Sequence, residues 1–376
     1  MSDRLSPSPS VLFTGFPGFL GSALLGRVLD RGDGPVACLI QPRYRDLAEA
    51  RAEAIVESVG EGTRCPDADA PAVHLYEGDI TEPDLGLASA VDDPDLLSSV
   101  DEVYHLAAVY DLSVDADVAE AVNVRGTEHV LDVAERLGVD RFHYVSTCYV
   151  SGRYDGVFTH DHLREGQSFN NQYEASKHRA EVAVRKRMAD GFPATVYRPA
   201  IAVGDSRTGE TDKLDGPYNL LRLLLAQPRR LAVVFSLSGA AETELNVVPR
   251  DYVVDAIAEL SGRSETVGET YQLCDPEPLT VPAFLAALSD ATGRRTISLP
   301  TTKPLAKAAA RLLSAAGVDV EPATIDYLDH PTRYRCPNAS EALAGTGVSV
   351  PPFESYVGRL VAFARENPSV GADPMT

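Results

Sequence analysis

The strongest constraint on the fold is a rhythm. Short apolar runs rich in β-branched and aromatic residues occur at 11–15 (VLFTG), 36–40 (VACLI), 73–79 (VHLYEGD), 103–108 (VYHLAA), 142–147 (FHYVST) and 195–200 (TVYRPA). Between them lie segments with apolar residues at three-to-four spacing, most clearly 118–137 and 173–190. Strand and helix alternating in this way predict an α/β fold, a mostly parallel, doubly wound sheet with helices on both faces. Beyond about residue 205 the rhythm weakens into loops rich in Gly, Pro and charge such as GDSRTGETDKLDGP. The expected division is a short disordered lead-in at 1–10, a nucleotide-binding domain at 11–205, and a smaller region at 206–376 that mainly binds substrate and returns some strands and helices to the core.

The first strand runs directly into Thr14-Gly15-Phe16-Pro17-Gly18-Phe19-Leu20-Gly21, which opens the helical stretch SALLGRVLDRG. Gly15 permits a tight turn, Gly18 lets backbone N–H groups approach a pyrophosphate, and Gly21 allows the helix to pack closely on the strand. The helix N-terminus then faces the anion. At this junction the motif predicts a Rossmann-type site for a dinucleotide.

Cofactor choice belongs at the end of the second strand, where an NAD site places an acid that accepts bonds from the ribose hydroxyls. The chain instead reads Leu39-Ile40-Gln41-Pro42-Arg43-Tyr44-Arg45. Without an acid there, Arg43, backed by Arg45, is positioned to pair with a 2′-phosphate, which favours NADPH over NADH. Asp79, followed by Ile80 at the end of the third strand, either accepts from the adenine amino group or caps a turn.

Catalytic chemistry is suggested by Tyr173-Glu174-Ala175-Ser176-Lys177 at the start of a helix, where residues four apart share a face. A phenol titrates near 10 and needs a neighbouring ammonium, shielded from water, to exchange protons near neutrality. Composition sharpens this motif. The chain has 34 Lys plus Arg, but Lys occurs only at 177, 186, 213, 303 and 307, and 15 Tyr with so few Lys give about 0.2 chance matches to this pattern. Upstream, Ser146 and Thr147 end a strand within VSTCYVSG. In open α/β sheets ligands bind outside such strand ends, so a hydroxyl there can donate to a substrate carbonyl.

In this order, TGxxGxxG, HLAA at 105–108, NVRGT at 123–127, VSTCYVSG, YEASK and YRPAIAVGDS at 197–206 resemble the extended short-chain dehydrogenases/reductases over residues 11–205, and LNVVPRDYVVDAI at 245–257 extends the likeness. GFPGFLG and GDITEPDLGL at 78–87 resemble the thioester-reductase and fatty acyl-CoA reductase (male-sterility type) branch. The resemblance implies Tyr173 as general acid/base, Lys177 as its partner and Thr147 as the substrate-orienting hydroxyl, five residues before Gly152. It implies a proton-relay or structural role for Asn123. His105, Leu106, Ala107 and Ala108 would pass the cofactor, with Ser146 beside it, and Pro199, Ala200 and Ile201 would flank the nicotinamide. No metal is implied. Where this branch often has Arg at the end of the second strand, the chain has Gln41.

The activity implied is NAD(P)H-dependent reduction of a carbonyl or thioester on a lipid-like substrate, a fatty acyl thioester, aldehyde or ketone, delivered on CoA or a carrier protein. The enzymatic alternatives are a nucleotide-sugar epimerase or dehydratase, which would use clustered arginines such as Arg207, Arg222, Arg229, Arg230 and Arg250, and a 3β-hydroxysteroid-type dehydrogenase. A non-catalytic NADP(H)-sensing module is the alternative of another class, and such modules usually lose the Tyr or the Lys. The excess of 55 Asp plus Glu over 34 Lys plus Arg gives a net charge of −21, which disfavours nucleic acid and anionic lipid as partners and suits a GC-rich genome or a salty cytoplasm. No apolar run approaches the length of a membrane span. Five scattered cysteines without a C-x-x-C pair fit a reduced, cytoplasmic setting. By the resemblance, the helices bearing Asn123 and Tyr173 would pair in a homodimer.

Overall fold

The computed structural model of the protein describes residues 10–32, 34–59, 72–87, 97, 99–228, 230–237, 240–315 and 322–370. Nearly all of the expected lead-in, together with Cys65 and Arg229, lies outside the described residues. Each expected apolar run forms a strand: β1 (Val11–Thr14), β2 (Val36–Ile40), β3 (Val73–Glu77), β4 (Glu102–His105), β5 (Arg141–Val145) and β6 (Ala194–Pro199). A further strand, β7 (Thr270–Leu273), comes from the C-terminal part of the chain and pairs with β6. The seven strands are parallel, in the order β3-β2-β1-β4-β5-β6-β7. The order reverses between β1 and β4, and a doubly wound sheet opens its ligand crevice at such a point.

Side-chain alternation along the strands separates the two faces. Val11 and Phe13 of β1 pack into one core with Leu24, Leu25 and Val28 of α1 (Phe19–Arg31), and Val253 and Ile257 of a helix at Arg250–Ser261 belong to that same core. Leu12 faces the other way, into a core with Val130, Leu131 and Ala134 of the helix at 116–137 and Ala180 and Val184 of the helix Gln172–Ala189. In chain order we label the helices α1, α2 (Arg45–Val59), α3 (116–137), α4 (Gln172–Ala189), α5 (Pro217–Leu225) and α6 (Arg250–Ser261). A separate apolar cluster, including Leu221, Leu224, Val234, Phe284 and Leu360, forms beside the main sheet from residues 203–364. No helix among the described residues is long and apolar enough to cross a membrane.

Two local features hold the helices that matter for chemistry. α3 is not a uniform α-helix: its turn at Glu120–Arg125 is π-type, and the Thr127 hydroxyl donates to the Asn123 carbonyl at 2.7 Å. Such one-turn bulges commonly mark functional positions. α4 starts at Asn171, whose side chain accepts from the Glu174 N–H at 3.0 Å, while Glu174 Oε2 accepts from the Asn170 N–H at 2.8 Å. This reciprocal cap satisfies otherwise unpaired donors and fixes the first turn, where Tyr173 sits.

Glu181, two turns further along α4, is fully buried and pairs with fully buried Arg198 of β6 at 2.5 Å. Arg198 also donates to the Thr159 and His162 carbonyls, at 3.2 and 2.8 Å, and its guanidinium lies 5.4 Å from the Phe158 ring centre. Removing one member of a buried pair strands the other charge, which costs about 3–5 kcal/mol. Glu181→Ala is therefore expected to lower urea-unfolding stability by that amount, and Glu181→Met combined with Arg198→Met by less. A Glu181→Ala protein within about 1 kcal/mol of the parent would contradict this role.

Candidate active site

The glycine turn is built as a close approach. Gly15 has φ +92, and a Cβ there would stand 2.8 Å from the Ala107 nitrogen and the Leu106 carbonyl carbon; one on Gly21 would stand 2.2 Å from the Gly15 oxygen. A side chain at either position would force the turn off β4 or off α1. Gly18, the N-cap of α1, offers no side-chain cap, and the first turn carries no acid. The N–H groups of that turn thus point at the crevice, an arrangement that suits a pyrophosphate. Every residue from Thr14 to Gly21 lines a cleft of about 450 Å³ that continues past the ends of β2, β4, β5 and β6.

Past the glycine turn, at the ends of β2 and β3, the cleft is bounded by Gln41, Tyr44, Asp79 and Ile80. Asp79 is doubly occupied: Oδ1 accepts from the Thr81 N–H and hydroxyl, and Oδ2 from Gln41 Nε2 at 2.8 Å. Asp79 therefore caps a turn in this structure, beside its place on the cleft wall. Gly78 and Asp79 are seated by the PDLG turn that follows, whose Leu85 carbonyl accepts from the Asp79 N–H at 3.0 Å. Asp84 and Leu85 carry φ values of +55 and +58, a strained geometry retained with Leu85 fully buried. Arg43 is exposed just outside the lining, donating through Nε and Nη2 to Gln41 Oε1 at 2.9 and 2.7 Å. Arg45 is engaged by Glu77 at 2.9 Å. Arg51, an arginine that belongs to no sequence motif, reaches from α2 to the Pro17 carbonyl and to Asp212, tying the glycine turn to the 205–216 loop.

The structure brings Thr147, Tyr173 and Lys177 together at the ends of β5 and α4. Burial pushes the Tyr173 phenol above its ordinary value of 10, and the neighbouring Thr147 hydroxyl opposes the rise. The Tyr173 ring meets Tyr110 edge to face at 4.9 Å. Lys177 donates to the Val145 carbonyl at 2.8 Å and lies 4.4 Å from the Tyr144 ring centre. Burial lowers its amine from 10.5 to about 7, while the Glu181 carboxylate works in the opposite direction. His105, beneath the cleft, bridges Thr14 and Thr127 and is lowered to about 3 by burial and the Lys177 charge, which keeps it neutral. Leu106, Ala107, Ala108, Pro199, Ala200 and Ile201 form the walls beside this group.

Two of the expected site residues are otherwise engaged. The Ser146 hydroxyl lines the cleft but donates to Glu181 Oε2 at 2.6 Å, which leaves Thr147 as the hydroxyl beside the phenol. Asn123 lies outside the lining: its amide accepts from the Val109 N–H at 2.8 Å and donates to the Val109 carbonyl and to Ser176 Oγ. It clamps the loop after β4 to α4, a structural task. Tyr327 was not legible in sequence. From the turn at Pro322–Asp329 it lines the cleft, donates to Glu174 Oε1 at 2.8 Å and accepts from Asn171 at 2.9 Å, so the C-terminal region locks onto the cap of α4.

A parallel sheet with a glycine-turn cleft and a Thr-Tyr-Lys group defines the class of extended short-chain dehydrogenases/reductases. The family model described as Male sterility protein matches residues 13–257, and the chain belongs to that family, in the thioester reductase branch of these NAD(P)-dependent oxidoreductases. A linear gramicidin synthase of Brevibacillus parabrevis is 27% identical over 286 residues, covering 75% of this chain and 5% of that protein. Carboxylic acid reductase of Mycobacterium tuberculosis is 28% identical over 297 residues, covering 72% of this chain and 25% of that protein. The chain thus spans only a fraction of these relatives. Among solved structures, the terminal R domain from the myxalamid PKS-NRPS biosynthetic pathway superposes with a TM-score of 0.77 at 27% identity, covering 98% of this chain and 93% of that one.

The buried Lys177 amine is expected to titrate near pH 7 in the cofactor-free protein, and Glu181→Gln to bring the midpoint lower, because the carboxylate that supports the charge is gone. Since the folded value lies below the unfolded one, this residue's contribution to stability rises with pH between about 7 and 10.5. NMR titration of labelled lysines, with only five in the chain, reads the midpoint directly; a value near 10 would rule out the desolvated ammonium.

Proposed function

We propose that the protein uses NADPH, in preference to NADH, to reduce a carbonyl or thioester on a lipid-like acyl substrate. The observation that carries this reading is the grouping of Thr147 and Tyr173 with buried Lys177 in one cleft wall, at the junction of a glycine-turn cleft with a largely apolar chamber. The substrate side of that chamber is lined by Tyr149, Leu220, Leu245, Tyr327 and Leu328. Among the described lining residues there is no arginine, so a diphosphate group of the kind a nucleotide-sugar substrate carries finds no guanidinium there.

A bound NAD(P)H supplies the hydride. Thr147 holds the substrate oxygen by donating its hydroxyl proton, and Tyr173 delivers a proton to that oxygen as negative charge develops on it. Protonated Lys177 stabilises the phenolate left behind, and Glu181 supports the Lys177 charge. With a thioester the same residues take the carbonyl to the aldehyde and release a thiol; with an aldehyde or ketone they give the alcohol. Part of the support for a thioester is likeness to the reductase domain of the myxalamid pathway and to carboxylic acid reductase. A thioester arrives on CoA or on a carrier protein, and the 206–370 portion forms the substrate side. The arginine at the cleft mouth supports NADPH: Arg43 is held by Gln41 next to the adenine end, where a 2′-phosphate would exchange a neutral partner for a charged one.

Tyr173→Phe should lower turnover by about 10²–10⁴-fold while NADPH affinity, followed by fluorescence titration, stays the same. Undiminished turnover in that variant would remove the mechanism. Arg43→Ala should weaken NADPH by about tenfold or more and leave NADH unchanged; equal losses for both cofactors would reject the phosphate contact.

A further inference from the structure

Beside the main cleft lies a second cavity of about 60 Å³, and the two share Leu220, Thr324 and Leu328 in their walls. Leu220 comes from α5, Thr324 and Leu328 from the turn at Pro322–Asp329 that also carries Tyr327. The far walls are Val234, Leu237 and Leu285, and the roof is the helix Lys303–Ala315, which turns Ala306 and Ala310 inward. These alanines are 6% and 4% exposed, so the hollow exists because small side chains stand where larger ones would fill it. Among the described residues, the only polar side chains in its lining, Asn219 and Thr324, are hydrogen-bonded to each other at 2.9 Å. The cavity thus offers a ligand shape and apolar contact, with no unpaired polar group among these side chains to recognise a headgroup or a sugar.

We propose that this second cavity is the tail subsite of the enzyme: an unbranched alkyl chain, attached to a carbonyl held at Thr147 and Tyr173, passes between Leu220 and Leu328 and ends against Ala306 and Ala310. The proposal rests on carbonyl reduction at Tyr173 and adds which lipids enter. A straight chain fits a narrow, dry side chamber behind two leucines; a fused-ring sterol does not. Apolar contact with no polar anchor makes selection a matter of length, each buried methylene improving binding by about fourfold until the chamber is filled.

The test uses straight-chain aldehydes of increasing length with NADPH, on the parent protein and on Ala310→Phe, which fills the chamber from a helix remote from the catalytic group. The expected result is a parental kcat/KM that climbs with length to a plateau, and a variant that equals the parent on the shortest aldehydes but falls at least tenfold on the long ones. Ala306→Val, a smaller intrusion, should shorten the plateau rather than abolish it, and thermal melts of both variants separate misfolding from blockage. An Ala310→Phe protein that is folded but loses all lengths equally, or retains the long ones, overturns the proposal. Calorimetric binding of straight-chain alcohols keeps the two readings apart. Length-dependent binding that Ala310→Phe removes, in a protein that reduces neither aldehydes nor acyl-CoA thioesters, would sink the reductase reading and leave the subsite standing.

Discussion

The geometry of the Thr147, Tyr173 and Lys177 group depends on one interaction, the buried pair between Glu181 and Arg198. It draws α4 onto β6 and, through Ser146, onto the end of β5. Burial of two charges is costly, and the cost is offset here because each partner is also hydrogen-bonded: Glu181 by Ser146, Arg198 by two carbonyls of the 159–162 segment. Arg198 directly precedes Pro199, whose carbonyl stands 3.5 Å from the Thr147 hydroxyl, and Glu181 stands four residues beyond Lys177 on one helical face. The pair that fixes the elements therefore also fixes the distances among the three chemical groups. It tunes one of them as well, since its carboxylate works against the desolvation of Lys177.

Around that anchor the site is assembled from opposite requirements. The cofactor side needs backbone close to the ligand, hence Gly15 and Gly21 at positions where any Cβ would collide with neighbouring main chain. The substrate side needs space and apolar walls, hence Leu220, Leu328 and the inward alanines of a helix that belongs to a separate core. Tyr327 joins the two halves by bonding to the cap of α4, so the C-terminal region reaches the same turn that presents Tyr173.

Much of this was legible in the residues. The strand runs, the two long helices, the glycine turn and the Tyr173/Lys177 pair are local patterns, and periodicity, turn chemistry and i, i+4 spacing report them without reference to distant chain. Other features depend on where distant segments land. Asn123 reads as either a relay or a structural residue, and its amide bonds, to Val109 and Ser176, reach 14 and 53 residues away in sequence. Ser146 and Thr147 are adjacent hydroxyls that the fold separates in role, because strand alternation turns one toward Glu181 and the other toward the phenol. Arg51, Glu181 and Tyr327 carry no motif of their own and acquire meaning only from their partners.

By itself the sequence determined the α/β class, the glycine turn between the first strand and α1, and the Tyr173/Lys177 pair, because each is written in contiguous residues whose spacing matches a helix turn or a strand pleat. Only the tertiary structure decided that the Ser146 hydroxyl is taken by Glu181, that Asp79 caps a turn while lining the cleft, that β7 completes the sheet from residue 270 onward, and that an apolar side cavity adjoins the main cleft. The reason is physical: burial, desolvation and cavity shape arise from atoms brought together across the whole chain, and no local pattern encodes them.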